Sequence, residues 1–98
     1  MKLVINTIYG GFDLNQNLAD LLGITTPTDA IETRYNANLV AYVEAGQSIS
    51  EHSFCKPAVV QIPDEATDWT IDEYDGLERV TYVHNGKLHY EHGWSCFN

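Results

Sequence analysis

The chain has 98 residues, of which 44% are hydrophobic and 11% aromatic, which suits one small folded domain over residues 1–98. Its 14 acidic residues outnumber 5 lysines and arginines and give a formal net charge of −9. Such a surface repels nucleic acid and anionic membranes and attracts basic protein surfaces. The N-terminal segment is too short and too polar for a signal peptide, and no apolar stretch approaches the roughly 20 residues of a membrane span. We therefore expect a soluble protein of the cytoplasm.

The chain begins with a predicted strand. Residues 2–9 are rich in β-branched and aromatic residues and carry apolar groups on both faces, which is typical of a strand covered on both sides. Gly10 and Gly11 end this strand in a tight turn that lets Phe12 fold back onto the core. A further strand is predicted over residues 58–62.

Two short helices are predicted between these strands. The first spans residues 16–22 and is capped by Asn15; the second spans residues 37–45 and ends at Gly46. Residues 24–35 contain turn formers and predict at most one further brief turn.

Two β-hairpins are the clearest structural signal, and they lie in the last third of the chain. The pairs Asp75-Gly76 and Asn85-Gly86 are typical of type I′ turns and predict strands over residues 68–74, 77–84 and 87–91. The predicted cross-strand pairs are Asp72 with Arg79, Ile71 with Val80, Trp69 with Tyr82, and Val83 with Leu88.

The same register sets Glu73 opposite Glu78. Like charges directly opposite each other are unfavourable, so this end of the hairpin is expected to be exposed to solvent or bound to a basic partner. Together the elements predict an α+β fold: a mainly antiparallel sheet, made of the C-terminal three-stranded meander and the N-terminal strand, with one or two short helices on one face.

The strongest functional signal is an acidic block without any basic residue. Its seven carboxylates are those of Asp64, Glu65, Asp68, Asp72, Glu73, Asp75 and Glu78. Because they are concentrated on predicted hairpins, they predict a surface that binds a basic partner, with carboxylates standing in for the phosphates of nucleic acid. The alternative is a solvated face that only keeps the protein soluble.

Three segments resemble a group of small, functionally uncharacterised bacteriophage proteins. The segments are KLVINTIYGGF, LVAYVEAG and VVQIPDEATDWTIDEYDGLERV. The group carries a YGGF-type turn and an IPD…WxIxEYDGxExV signature, matched here by residues 9–12, 62–64, Trp69, Ile71, 73–76, Glu78 and Val80. The resemblance implies a phage origin and action inside an infected bacterial cell, and it brings no catalytic residue. The closing segment HNGKLHYEHGWSCFN departs from the basic, aromatic ending expected for the group, and this member's own function could reside there.

Histidine and cysteine residues offer a weaker signal. The candidate zinc ligands are His52, Cys55, His89, His92 and Cys96. Their spacings do not match a standard zinc finger, so we expect a fold that needs no metal and no other cofactor. The two cysteines are expected to be free thiols.

No motif for catalysis accompanies the cysteines or the acids. A nucleophile elbow, a glycine-rich phosphate loop and a paired-acid motif are all missing from the sequence, so no enzymatic activity is expected. The aromatic residues Tyr74, Tyr82, Tyr90 and Trp94 are expected in the core or at a protein interface, because the charge disfavours base stacking. A homodimer interface would add support to so small a core.

These observations favour a phage-type inhibitor that binds a basic surface of a bacterial host protein through the acidic block. A nucleic-acid-handling defence effector is the expected target, which would make this an anti-CRISPR or anti-restriction protein. Two alternatives remain open: a small structural or accessory phage protein that self-assembles, and a metal-stabilised binding module. Light scattering tests the first alternative, and metal analysis tests the second.

Overall fold

The structure is a computed structural model that describes residues 1–91. Within that range the strands are β1 (Lys2–Asn6), β2 (Pro57–Gln61), β3 (Thr67–Tyr74), β4 (Leu77–His84) and β5 (Lys87–Glu91). The helices are α1 (Gln16–Leu21), α2 (Ala37–Glu44) and a 3₁₀ helix over Ile31–Tyr35. None of these helices is long and apolar enough to cross a bilayer.

The strands form two antiparallel sheets. β1 pairs with β2, with Leu3 opposite Val60 and Ile5 opposite Ala58. β3, β4 and β5 form the predicted C-terminal meander in chain order. The α+β prediction is confirmed, and the N-terminal strand belongs to a two-stranded sheet of its own. β1 ends at Asn6, three residues earlier than predicted.

β1 lies between two hydrophobic clusters. On one face Val4 packs with residues of both helices, among them Leu39 of α2. On the other face Leu3 and Ile5 pack against residues of the meander such as Val80. Because alternate side chains of a strand point to opposite faces, one short strand contributes to both clusters. The prediction of a strand covered on both sides is confirmed.

Both helices begin at an asparagine cap. The Asn15 side chain accepts a hydrogen bond from the amide of Leu18, and the Asn36 side chain accepts one from the amide of Leu39. Each cap satisfies an amide group that the first helical turn leaves without an internal partner. The predicted helices are therefore confirmed to within one residue at their ends.

Both predicted hairpin tips are confirmed. Asp75 and Gly76 at the first tip, and Asn85 and Gly86 at the second, all have positive φ angles, as a type I′ turn requires. The predicted pairs that the register confirms are Asp72 with Arg79, Ile71 with Val80, and Val83 with Leu88.

A β-bulge near the start of β3 replaces one predicted pair. The register shifts between Thr67 and Thr70, so that Asp68 and Trp69 together oppose Tyr82. Asp68 has a φ of 51°, a conformation that a bulge accommodates. The one-to-one pairing of Trp69 with Tyr82 was therefore wrong, although both side chains pack in the same cluster.

Candidate functional site

Six of the seven predicted site residues lie at the protein surface. We call this set the acidic stripe: Asp64, Glu65, Asp68, Asp72, Glu73 and Asp75. It follows the β2–β3 loop, the edge strand β3 and the first hairpin tip. The eight residues of β3 alone span about 25 Å at roughly 3.3 Å per residue.

Two cations of residues 1–91 contact the acidic stripe. The N-terminal ammonium group of Met1 lies 2.7 Å from Asp64 Oδ1, and this hydrogen bond and charge lower the pKa of Asp64. Arg79 Nε lies 3.9 Å from Asp72 Oδ2. The other four carboxylates of the stripe make no ion pair with the described residues, so most of its charge is not neutralised within this part of the chain.

Glu78 does not belong to this surface. Its side chain is only 7% exposed and forms a bidentate ion pair with Arg34, with N–O distances of 2.7 and 2.8 Å. The sequence predicted that this end of the hairpin is exposed to solvent or bound to a basic partner. Glu73 is exposed, whereas Glu78 is buried against a basic residue of the same chain, so its assignment to the partner-binding surface was wrong. The physical reason is Arg34 on the 3₁₀ helix, which neutralises the Glu78 carboxylate inside the protein.

The Arg34–Glu78 pair also forms hydrogen bonds to backbone groups on the edge of β1 that does not face β2. Arg34 Nη1 donates to the carbonyl of Val4 at 3.1 Å, and Glu78 Oε1 accepts the amide N–H of Asn6 at 2.8 Å. The Val4 carbonyl and the Asn6 amide both point away from β2, because β2 pairs with the backbone groups of the alternate residues of β1. The guanidinium carbon also lies 3.6 Å from the centroid of the Phe12 ring, which folds back onto the core as predicted.

Asn6 connects β1 to the first hairpin tip. Its Nδ2 donates to the carbonyls of Ile8 and Gly76 at 2.6 and 2.7 Å, and its Oδ1 accepts the amide of Lys56 at 2.8 Å. Asn6 is fully buried. A buried amide with these three hydrogen bonds costs little and orients the three segments that it contacts.

The YGGF turn and the EYDG hairpin tip meet in direct contact. The amide of Gly10 donates to the carbonyl of Asp75 at 2.8 Å. A Cβ atom at Gly76 would overlap the backbone of Gly10 and Gly11, and a Cβ atom at Gly10 would overlap Phe54. Only glycine permits so close an approach of two backbones. The quoted signature residues therefore have a structural role at this contact.

Three exposed aromatic residues lie on the segments that meet at this contact, and we call them the aromatic tip: Tyr9, Phe54 and Tyr74. The rings of Tyr9 and Tyr74 meet edge to face with centroids 6.3 Å apart. His52 stacks on Phe54 with centroids 4.8 Å apart. The three side chains are 47%, 43% and 57% exposed, respectively. The sequence analysis singled out Tyr74 but missed Phe54, which lies in a polar loop without any pattern.

The other aromatic candidates have internal roles or lie beyond the described residues. Tyr82 is buried and donates to Glu91 at 3.1 Å; burial, followed by this hydrogen bond, raises the pKa of Tyr82. Tyr90 is exposed, with the Arg79 guanidinium carbon 4.3 Å from its ring centroid. Trp94 lies outside the described residues.

The candidate metal ligands are not assembled within residues 1–91. That part of the chain contains no group of three or more His, Cys, Asp or Glu side chains placed to hold a metal ion. His52 and His89 each stack on an aromatic ring, and Cys55 is a buried free thiol. His92 and Cys96 lie outside the described residues.

Asp13, Ser50 and His52 lie together, but their order does not suit nucleophilic catalysis. Ser50 Oγ donates to Asp13 Oδ2 at 2.5 Å, and His52 Nε2 lies 3.9 Å from the same oxygen. In a Ser-His-Asp triad the imidazole lies between the hydroxyl and the carboxylate, whereas here the carboxylate lies between them. Burial raises the pKa of the Cys55 thiol, which is the opposite of activation. The contacts of Asp13 with Ser50 and His52 hold the loop that precedes β2 in place.

No protein-family model matches this chain, and searches of the curated proteins and of the solved structures gave no match.

Proposed function

We propose that this protein binds a basic surface of another protein through the acidic stripe and thereby inhibits it. The observation that supports the proposal is the set of six surface carboxylates on the β2–β3 loop, the edge strand β3 and the first hairpin tip, four of them without an ion pair to residues 1–91. Held side by side, such charges repel one another, and a cationic partner relieves that repulsion.

The charge of the acidic stripe suits a surface that normally holds nucleic acid. Its carboxylates do not form a single row, because Asp72 and Glu73 are consecutive in β3 and project from opposite faces of the strand. DNA likewise presents fixed negative charges, with one phosphate per roughly 3.4 Å of helix axis on each strand. A basic groove that binds phosphates therefore attracts the stripe by the same long-range charge.

The partner that we propose is a nucleic-acid-handling defence effector of a bacterial host, of the CRISPR or restriction type. The resemblance to phage proteins supports the choice of host, and the charge supports the choice of a basic groove. In this proposal the stripe occupies the groove, excludes the nucleic acid and acts without catalysis.

A pair of charge-matched variants tests the proposal. The stripe variant carries Glu65→Gln, Asp68→Asn, Glu73→Gln and Asp75→Asn. The control variant carries Asp20→Asn, Asp29→Asn, Glu32→Gln and Glu51→Gln, which are exposed acids on other segments. Both variants lose four negative charges, and asparagine tolerates the positive φ of Asp68 and Asp75.

Capture from a bacterial lysate followed by mass spectrometry is the first measurement. We expect wild type and the control variant to retain the same basic, nucleic-acid-binding protein and the stripe variant to lose it. The purified partner should then lose its nucleic-acid binding when wild type is added. Equal loss of capture by both variants would show that net charge alone, and not the stripe, is responsible.

A further inference from the structure

The aromatic tip exposes two tyrosine rings in edge-to-face contact, and the exposed Phe54 lies on a segment that packs against Gly10 beside them. Scattered exposed aromatic residues are ordinary, but adjacent ones on a rigid support are typical of protein interaction sites. Tyr9, Phe54 and Tyr74 come from three separate segments, and these segments meet at Gly10. Their proximity is therefore produced by the fold and not by the local sequence.

The support beneath the aromatic tip is held in place before any partner arrives. Gly10 is bonded to the carbonyl of Asp75, and Asn6 is bonded to the carbonyls of Ile8 and Gly76. These bonds anchor the backbone next to Tyr9 and Tyr74. A preorganised surface loses less conformational freedom on binding, which leaves more of the contact energy for affinity.

Exposed carboxylates lie on the same hairpin as Tyr74. Glu73 and Asp75 flank Tyr74 in the sequence, and both are exposed. Lys56, the cation nearest to Phe54 in sequence, lines a separate groove beside α2. The first hairpin therefore carries exposed carboxylates of the acidic stripe and an exposed ring of the aromatic tip on one short segment.

We propose that the aromatic tip, together with Glu73 and Asp75, is the part of the stripe that binds arginine side chains of the partner. This inference rests on the proposed function and specifies its chemistry. A guanidinium group stacks on aromatic faces and pairs with carboxylates through two parallel hydrogen bonds, whereas an ammonium group is a compact, strongly hydrated charge. An arginine-bearing segment therefore fits this surface better than a lysine-bearing one of equal charge.

The protein already contains the same contact in its own structure. The guanidinium carbon of Arg34 lies 3.6 Å from the centroid of the Phe12 ring, and that of Arg79 lies 4.3 Å from the centroid of the Tyr90 ring. Each of these arginines also lies beside a carboxylate, at Glu78 and at Asp72. The proposed site repeats this combination of ring and carboxylate at the protein surface.

Titration with two synthetic peptides tests the inference. An oligoarginine and an oligolysine of equal length are added to isotope-labelled protein, and amide shifts and dissociation constants are measured by NMR. We expect the arginine peptide to bind about two- to fivefold more tightly for each ring engaged, with the largest shifts at residues 9–12, 54 and 73–76.

Tyrosine variants supply the controls. Tyr9→Leu with Tyr74→Leu should remove the preference for arginine, while Tyr9→Phe with Tyr74→Phe should keep it because the rings remain. Tyr35→Leu, at an exposed tyrosine that packs on Trp69 instead, should also keep it. A preference that survives in the leucine variant would overturn the inference.

The outcome separates this inference from the proposed function. Equal affinity for both peptides, lost in the stripe variant but not in the control variant, would overturn the arginine site and leave the acidic stripe as the binding surface. If neither the peptides nor a basic host protein binds wild type, both proposals are overturned.

Discussion

Arg34 and Glu78 are 44 residues apart in sequence and form a bidentate ion pair inside the protein. The pair joins the 3₁₀ helix to β4, and through Val4 and Asn6 it occupies the outer edge of β1. Breaking a buried pair by removing one charge is far more costly than losing a surface pair, because the remaining charge stays buried without compensation. The free energy of this contact can therefore be tested directly.

Glu78→Gln should lower the free energy of unfolding by about 3 kcal/mol, because the Arg34 charge loses its counter-charge while the amide oxygen still accepts from Asn6. Glu73→Gln is the matched control on the facing strand position and should change stability by less than about 0.5 kcal/mol. Urea unfolding of the three proteins measures both values. Equal destabilisation by the two substitutions would contradict the assignment of Glu78 to the interior.

The local turn chemistry made the meander predictable from the sequence. Asp75-Gly76 and Asn85-Gly86 each determine a turn type, and the turn then determines the register of the neighbouring residues. The prediction failed at Asp68, where a bulge displaces the register, because nothing in the local alternation marks an extra residue. Turn residues and side-chain alternation therefore predict the register of the hairpins correctly as far as the bulge at Asp68.

The burial of Glu78 was not predictable in the same way. Its cross-strand neighbour Glu73 is correctly placed, and the register alone suggests two exposed carboxylates. The partner that reverses this conclusion, Arg34, lies in a segment where the sequence predicted only a brief turn. Phe54 was missed for a related reason, since its position depends on the contact with Gly10.

Gly76→Ala should destabilise the protein more than Gly86→Ala. Both glycines occupy the second turn position with positive φ, so each alanine substitution carries the same conformational cost of about 1 kcal/mol. Only at Gly76 does an added Cβ meet the backbone of Gly10 and Gly11. We expect the free energy of unfolding to fall by at least about 1 kcal/mol more for Gly76→Ala than for Gly86→Ala. The closely packed backbone at Gly76 cannot relax without moving a strand end.

Thermal or urea unfolding of the two alanine variants gives the comparison. The Gly86 variant serves as the control for turn strain alone. If both variants lose the same stability, the approach of the hairpin tip to the YGGF turn contributes nothing to the fold.

The buried thiol of Cys55 predicts a loss of stability at alkaline pH. Its pKa is raised above the ordinary value of 9.0, chiefly by burial, so the folded state holds the proton more tightly than the unfolded state. The resulting stabilisation is complete below the ordinary pKa and is lost as the pH rises through the pKa of the folded state. Stability should therefore fall above about pH 9.

Cys55→Ala, made in a Cys96→Ser background, isolates this effect. We expect the alanine variant to be less stable near neutral pH and to lose less stability than its parent between about pH 8 and pH 10. The raised pKa of Tyr82 acts in the same direction in both proteins, so it cancels in the comparison. Parallel stability curves for parent and variant would contradict the prediction.

Salt should weaken binding to the partner mainly through the association rate. Exposed charges act over about 10 Å at ~0.1 M salt, and screening them removes the attraction that guides the two proteins together. Between about 50 and 200 mM salt we expect the wild-type association rate to fall by at least about tenfold while the dissociation rate changes little. The stripe variant should associate slowly at low salt and show a shallow salt dependence, while the variant neutralised at Asp20, Asp29, Glu32 and Glu51 should stay closer to wild type.

Surface plasmon resonance at several salt concentrations measures these rates. The same salt dependence in both variants would mean that the stripe only keeps the protein soluble, and the binding surface would then have to lie elsewhere on the chain.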